Sequence, residues 1–125
     1  MVTTTSIKEI ALNAREEFEN RKVDKILLAD LYGRYAKIHN LKDFLKKAQG
    51  MFPKLNCGLT CVYLQRNLGE GEIVNGKYGM ENHTFLLLNK KTVVDITADQ
   101  YGGPKVYCGP LKYPWILGGE KNVLS

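Results

Sequence analysis

The sequence lacks any apolar run approaching the roughly 20 residues that a membrane helix requires. Its first residues, Met1-Val2-Thr3-Thr4-Thr5-Ser6, are polar, without the basic-then-apolar order of a secretory signal. Cysteine is scarce, and the three present are Cys57, Cys61 and Cys108. An odd number without disulfide-type spacing argues against a stapled secreted scaffold. There is no glycine-rich phosphate loop, zinc-finger spacing or aromatic-basic RNA-binding motif, so a nucleic-acid partner is not expected. Repeats and low-complexity segments are also missing. Together these absences lead us to expect a cytoplasmic protein with no membrane partner, although signal-less secretion stays open.

What is present is ordinary for a globular domain: 125 residues, 44% hydrophobic and 25% charged. That length suits a single domain, residues 1–125, able to fold without disulfides. A net charge of +5 and a pI near 9.1 are compatible with an acidic partner. The basic residues are dispersed, however. The densest group, Lys42, Lys46 and Lys47, alternates with apolar residues and reads as a solvated helix face.

The first half, about residues 6–69, has helical periodicity. Ser6 is the expected cap of a helix to about Asn20, with Ile7, Ile10, Ala11, Ala14 and Phe18 facing inward. A second helix is expected over 23–38, with Ile26, Leu27, Leu31 and Tyr35 as its stripe. A third starts between Asn40 and Asp43, turns Leu41, Phe44 and Leu45 inward, and ends by Gly50 and Pro53. A fourth begins near Cys57 with Asn56 as cap, carries Cys61, Leu64 and Leu68 on the same face, and closes at Gly69. From about residue 72 to 108 the pattern turns to strands: Ile73-Val74, Thr84–Leu88, Thr92–Ile96 and Lys105–Cys108. The glycine- and proline-rich tail reads as turns. Helices followed by a meander of strands predict an α+β fold with an antiparallel sheet.

Three residues in this pattern suit nucleophilic catalysis. Cys57 would open a helix, where unpaired N–H groups favour a thiolate and its own N–H can hold an oxyanion. Gly58 leaves the approach open. The plainer account makes Cys57 and Cys61 small apolar members of a buried stripe, and for Cys61 that account is preferred. His83 heads the most apolar strand and could take a proton from Cys57. His39, at an expected helix end, needs only a surface role. Asp95 lies among Val93, Val94 and Ile96, where a carboxylate is costly unless paired. Its natural partner is the His83 imidazole. Side chains alternate along strands, so this pairing needs an odd-numbered loop. A three-residue loop, Asn89-Lys90-Lys91, sets Leu88 opposite Thr92 and Phe85 opposite Asp95, making His83 and Asp95 diagonal neighbours.

Cys57–Leu64, Asn82–Leu87 and Val94–Tyr101 together resemble the nucleophile helix, histidine strand and aspartate strand of the papain-like cysteine hydrolase superfamily. The likeness is strongest to its transglutaminase-like and NlpC/P60-like members and covers roughly residues 55–108. Phe85 stands where transglutaminase-like members often have tryptophan, and Ile96 where they often have proline. The resemblance implies a papain-like core and a Cys57–His83–Asp95 triad. It also implies a thioester intermediate on a protein, peptide or amide substrate, with no cofactor. It suggests Gln49 as an oxyanion donor, and Asn56 and Gln100 as further residues lining the site.

Two rival readings follow from the same residues. Cys57, Cys61, His83 and Cys108 could bind zinc, but they scatter over about 50 residues without a second tight pair. Alternatively the domain could be a papain-like binding module without chemistry. The bond attacked is not written in the three residues, since peptidase, amidase, deamidase and transglutaminase all use them.

Overall fold

A computed structural model describes residues 4–35, 37–38, 40–50, 52 and 57–118. Among the described residues four helices come first: α1 (Thr4–Glu19), α2 (Lys25–Tyr35), α3 (Leu41–Gly50) and α4 (Cys57–Leu68). Five strands follow: β1 (Glu72–Tyr78), β2 (Glu81–Leu88), β3 (Thr92–Asp95), β4 (Tyr107–Pro110) and β5 (Trp115–Ile116). A single 3-10 turn, Ala98–Tyr101, separates β3 from β4. The fold is therefore α+β, with one antiparallel sheet in the order β4-β3-β2-β1-β5.

Local chemistry explains most of the boundaries and corrects some expectations. Ser6 lies inside α1 rather than capping it. The second helix is capped by Asp24, whose Oδ1 accepts the N–H of Ile26 at 2.8 Å. Among its described side chains, Leu27, Leu28, Leu31 and Tyr32 turn inward, while that of Tyr35 lies outside the described residues. Ile26, expected inside, is 81% exposed. Asn40 caps α3 by accepting the Asp43 N–H at 2.9 Å. Phe44 turns inward against Tyr32, Leu41, also expected inside, is 54% exposed, and the side chain of Leu45 lies outside the described residues. The fourth helix buries Cys61, Leu64 and Leu68 as its pattern requires.

The sheet is curled, so its two faces hold separate cores. The convex face carries Leu86, Leu88, Val94 and Ile96 against α1, α2 and α4. Each such fully buried aliphatic side chain stabilises the fold by about 1.5–3 kcal/mol relative to exposure. The concave face encloses Phe85, Leu87, Val93, Ala98 and Trp115. The two edge strands meet across this inner core, where the rings of Tyr107 and Trp115 stack with centroids 3.9 Å apart. The tail expected to be mostly turns also contributes β5. A strand of two residues between Pro114 and Gly118 leaves too short a pattern to read.

The β2–β3 loop decides which residues share a face. Leu88 pairs with Thr92, Leu87 with Val93 and Leu86 with Val94. The loop is thus Asn89-Lys90-Lys91, and the odd count expected from the sequence holds. Lys91 N–H donates to the Leu88 carbonyl at 3.0 Å, and Asn89 and Lys90 take φ of 52° and 61°. Two left-handed residues in a row match the twist of a hairpin. Asn tolerates this region, whereas lysine is strained there. Lys90→Gly is expected to stabilise the protein by about 1 kcal/mol. In urea unfolding the midpoint should rise at unchanged slope; a lower midpoint would contradict the assignment of strain.

Candidate active site

The helix start and two adjacent strands bring Cys57, His83 and Asp95 together. Cys57 is the first residue of α4 and is partly exposed. It lines a cleft of about 380 Å³ with Asn75, Gly76, Asn82, His83 and Thr84. The helix N-terminus places unpaired N–H groups and a partial positive charge beside the sulfur.

His83 is buried, 3% exposed. Its Nε2 lies 2.6 Å from Asp95 Oδ2. That leaves Nδ1 as the nitrogen available to the thiol, and Nδ1 has no formed hydrogen bond among the described residues. Resting pairs of this kind are often loosely aligned and tighten only with substrate. The ring is fixed by aromatic neighbours. Tyr101 stands edge-on at 5.3 Å and Tyr78 at 6.2 Å, and Tyr101 itself is tied down by donating to the Asn82 carbonyl at 3.0 Å.

Asp95 is 2% exposed and saturated with donors. Besides His83, Oδ2 accepts from Trp115 Nε1–H at 2.8 Å. Oδ1 accepts from the Thr97 N–H at 2.9 Å and its hydroxyl at 3.3 Å. This satisfies a buried carboxylate that would otherwise be costly. The segment after it is clamped from the helical layer. Buried Arg15 of α1 donates to both Asp99 oxygens, at 2.7 and 2.9 Å, and to the Ile96 carbonyl at 2.9 Å. The bidentate fork fixes the backbone that follows Asp95.

The electrostatics follow from these contacts. Burial alone would raise the Cys57 thiol. The donor groups of His83 and Thr84 near the sulfur, with the imidazole's charge, outweigh burial and hold the thiol below its ordinary range. Burial alone would lower His83. The hydrogen bond to Asp95 and its charge, with the acceptor and charge of the nearby Cys57 sulfur, outweigh it and carry the imidazole up to about 9. Cys61 is fully buried, and burial plus the charges of Asp95 and Cys57 push its thiol well up. On β4, Cys108 is raised by burial. The helical stripe that joined Cys57 to Cys61 therefore divides into two chemically distinct thiols.

These shifts have opposite signs in stability. The raised imidazole stabilises the fold below about pH 6.5 and loses that contribution as pH rises through about 9. The depressed thiol stabilises above its ordinary pKa and loses that contribution as pH falls through its folded value. Where the native pair holds one proton on His83 and the unfolded chain holds one on Cys57, the two slopes cancel. The wild-type urea midpoint should then be nearly flat between the folded thiol's lowered value and its ordinary one. Cys57→Ser removes the thiol and exposes the histidine slope, a loss of at most about 3 kcal/mol by pH 9. Identical slopes in the two proteins would contradict the paired charges.

The remaining expected site residues fare differently. Gln49 lies within α3, with its side chain outside the described residues, as is Asn56 altogether. Gln100 is in the 3-10 turn and does not line the cleft. Its Nε2 is buried and has no hydrogen-bond partner among the described residues. The zinc constellation does not assemble either. Among the described residues no group of three or more His, Cys, Asp and Glu is placed to hold a metal ion.

Sequence reasoning missed Thr84, Thr97, Arg15 and Trp115. Thr97 had a signal, because Asp-x-Thr is a local pattern in which the carboxylate accepts from the chain two residues on. Trp115 had another, since a sole tryptophan that becomes buried needs a partner for its N–H. No family model matches the chain, and neither a curated protein nor a solved structure is significantly similar to it. Among the described residues, no helix is long and apolar enough to cross a membrane.

Proposed function

We propose that the protein is a cysteine-dependent acyl-transfer enzyme with a papain-like core, acting on amide bonds through a Cys57–His83–Asp95 triad. The observation that carries this reading is a thiol at a helix start facing an imidazole whose other nitrogen is 2.6 Å from a buried carboxylate. A lowered thiol and a raised imidazole both favour the thiolate–imidazolium pair. The thiolate attacks the substrate carbonyl carbon, and the Cys57 N–H is suited to hold the developing oxyanion. His83 then gives its proton to the departing amine, leaving a thioester on Cys57. Water, or a second amine, gives its proton back to His83 as it attacks the thioester, and the thiolate is restored. Asp95 keeps the ring oriented throughout and stabilises its charged form.

The cleft is lined by neutral polar groups, Asn75, Asn82 and Thr84, beside the thiol and imidazole. Such a lining suits an uncharged carboxamide or peptide group. Incubation with p-nitrophenyl acetate tests the reading. It predicts a burst of nitrophenolate and a single acetyl group on Cys57 by mass spectrometry, released by water and faster by added amine. Acetylation spread over surface lysines with none on Cys57 would refute it.

A further inference from the structure

Cys57 has a second set of polar neighbours that the triad leaves unused. Thr84 follows His83 on β2, so its side chain leaves the opposite face of the strand. That is the convex face, shared with Leu86 and Leu88, against which α4 packs. Directly across the ladder stands Asn75 of β1. Thr84 Oγ1 donates to Asn75 Oδ1 at 2.8 Å, and both residues line the cleft that holds Cys57. Valine would serve strand propensity at position 84 equally well. A hydroxyl joined to a carboxamide beside a thiol needs another explanation.

We propose that the Thr84 hydroxyl and the Asn75 carboxamide form a donor relay that holds the Cys57 thiolate, making both positioning residues for the nucleophile. The proposal rests on Cys57 being the nucleophile and extends that reading to what fixes the sulfur. A threonine hydroxyl has a single proton to donate. Beside a neutral thiol that proton goes to Asn75. A thiolate is a stronger acceptor, and charge-assisted hydrogen bonds are roughly twice as strong as neutral ones. A half-turn of the Asn75 carboxamide exchanges its oxygen and its NH2 without changing its outline. Asn75 then donates to Thr84 Oγ1, and the hydroxyl proton turns to the sulfur. Every proton stays on its own heavy atom, so the relay is a rotation with no bond broken.

The Thr84 N–H acts on the same sulfur, and it and the hydroxyl both favour the ionised form. The imidazolium of His83 attracts the thiolate from one side, and the relay holds it from the other. The titratable groups facing Cys57 are His83 on β2, Cys61 on α4 and Tyr101 on the 3-10 turn, with Asp95 of β3 behind His83. Strand β1 contributes Asn75 and Gly76 to the cleft, neither of which titrates. Cys61 and Tyr101 are held neutral near pH 7 by their raised values. The acid limb of Cys57 reactivity therefore reports the His83–Asp95 pair and the Thr84–Asn75 relay.

The test is the pH dependence of Cys57 alkylation by iodoacetamide, read by mass spectrometry on folded protein. Thr84→Val should slow labelling at pH 6 by about three- to tenfold, the loss of one partly exposed charge-assisted hydrogen bond. Thr84→Ser should restore the wild-type profile. Asn75→Asp lies at an exposed position and accepts without donating, so it captures the Thr84 proton and slows labelling. It should slow labelling much less in the Thr84→Val background, where an equal effect would be the added charge alone and would overturn the relay. An unchanged profile in both Thr84→Val and Asn75→Asp overturns the relay, as does failure of Thr84→Ser to restore the profile. Failure of the underlying reading looks different. In that case wild-type Cys57 itself shows no reactivity below the pH of an ordinary thiol, and His83→Ala changes nothing.

Discussion

Cys57→Ala is expected to abolish acyl capture, slowing turnover of an activated ester by about a thousandfold or more. Cys57→Ser should fare little better despite its similar shape. A serine hydroxyl ionises far above neutral pH, and the site depends on a thiol already poised beside an imidazole of pKa about 9. The other thiols are the internal control. Cys61 is 2% exposed and pushed up by burial, and Cys108 lies on β4 outside the cleft lining. Cys61→Ala and Cys108→Ala should each retain the acyl burst. Burst amplitude after rapid mixing, with the acetylated residue located by mass spectrometry, separates these outcomes. Persistence of the burst in Cys57→Ala would move the chemistry elsewhere.

Asp95→Ala should be the most damaging change to the fold, costing about 3–5 kcal/mol. It strands the Trp115 N–H, the Thr97 N–H and the His83 ring nitrogen in a buried space, since all three converge on this carboxylate. Asp95→Asn separates structure from chemistry. The amide keeps an oxygen for Thr97 and costs less stability. It cannot stabilise an imidazolium or accept from both Trp115 and His83, so acyl transfer should fall about a thousandfold or more. Urea unfolding and burst kinetics on the same preparations give both numbers. Near-native stability for Asp95→Ala would mean that these contacts contribute little.

Much of the site geometry could be read from the sequence because it rests on local periodicity. The alternation along Thr84–Leu88 and Thr92–Asp95, together with an odd-numbered turn, set the parity that puts His83 and Asp95 on the concave face. The stripe Cys57, Cys61, Leu64 and Leu68 placed the thiol at a helix start in the same way. Helix faces were less legible where apolar residues exceed what a helix can bury. In α2 more apolar side chains compete than one face can hold, and Ile26 loses to Leu28.

The partners of the triad were not legible, because they are contacts between distant parts of the chain. Trp115 reaches Asp95 across 20 residues and Arg15 reaches Asp99 across 84. Only closure of the curled sheet and docking of α1 create these contacts. The strand that carries Trp115 is two residues long. Even the difference between Cys57 and Cys61, one helical turn apart, depends on which thiol meets His83 and which meets only the core.

The most direct test of the account is the rate of Cys57 alkylation between pH 5 and 9, in wild type and in His83→Ala. The account predicts that wild-type Cys57 reacts well below the pH at which a free thiol does. In His83→Ala the acid limb should shift upward, slowing labelling about tenfold or more at pH 6, while Cys61 stays unlabelled in both. A Cys57 that follows an ordinary thiol curve, unchanged by His83→Ala, would contradict it.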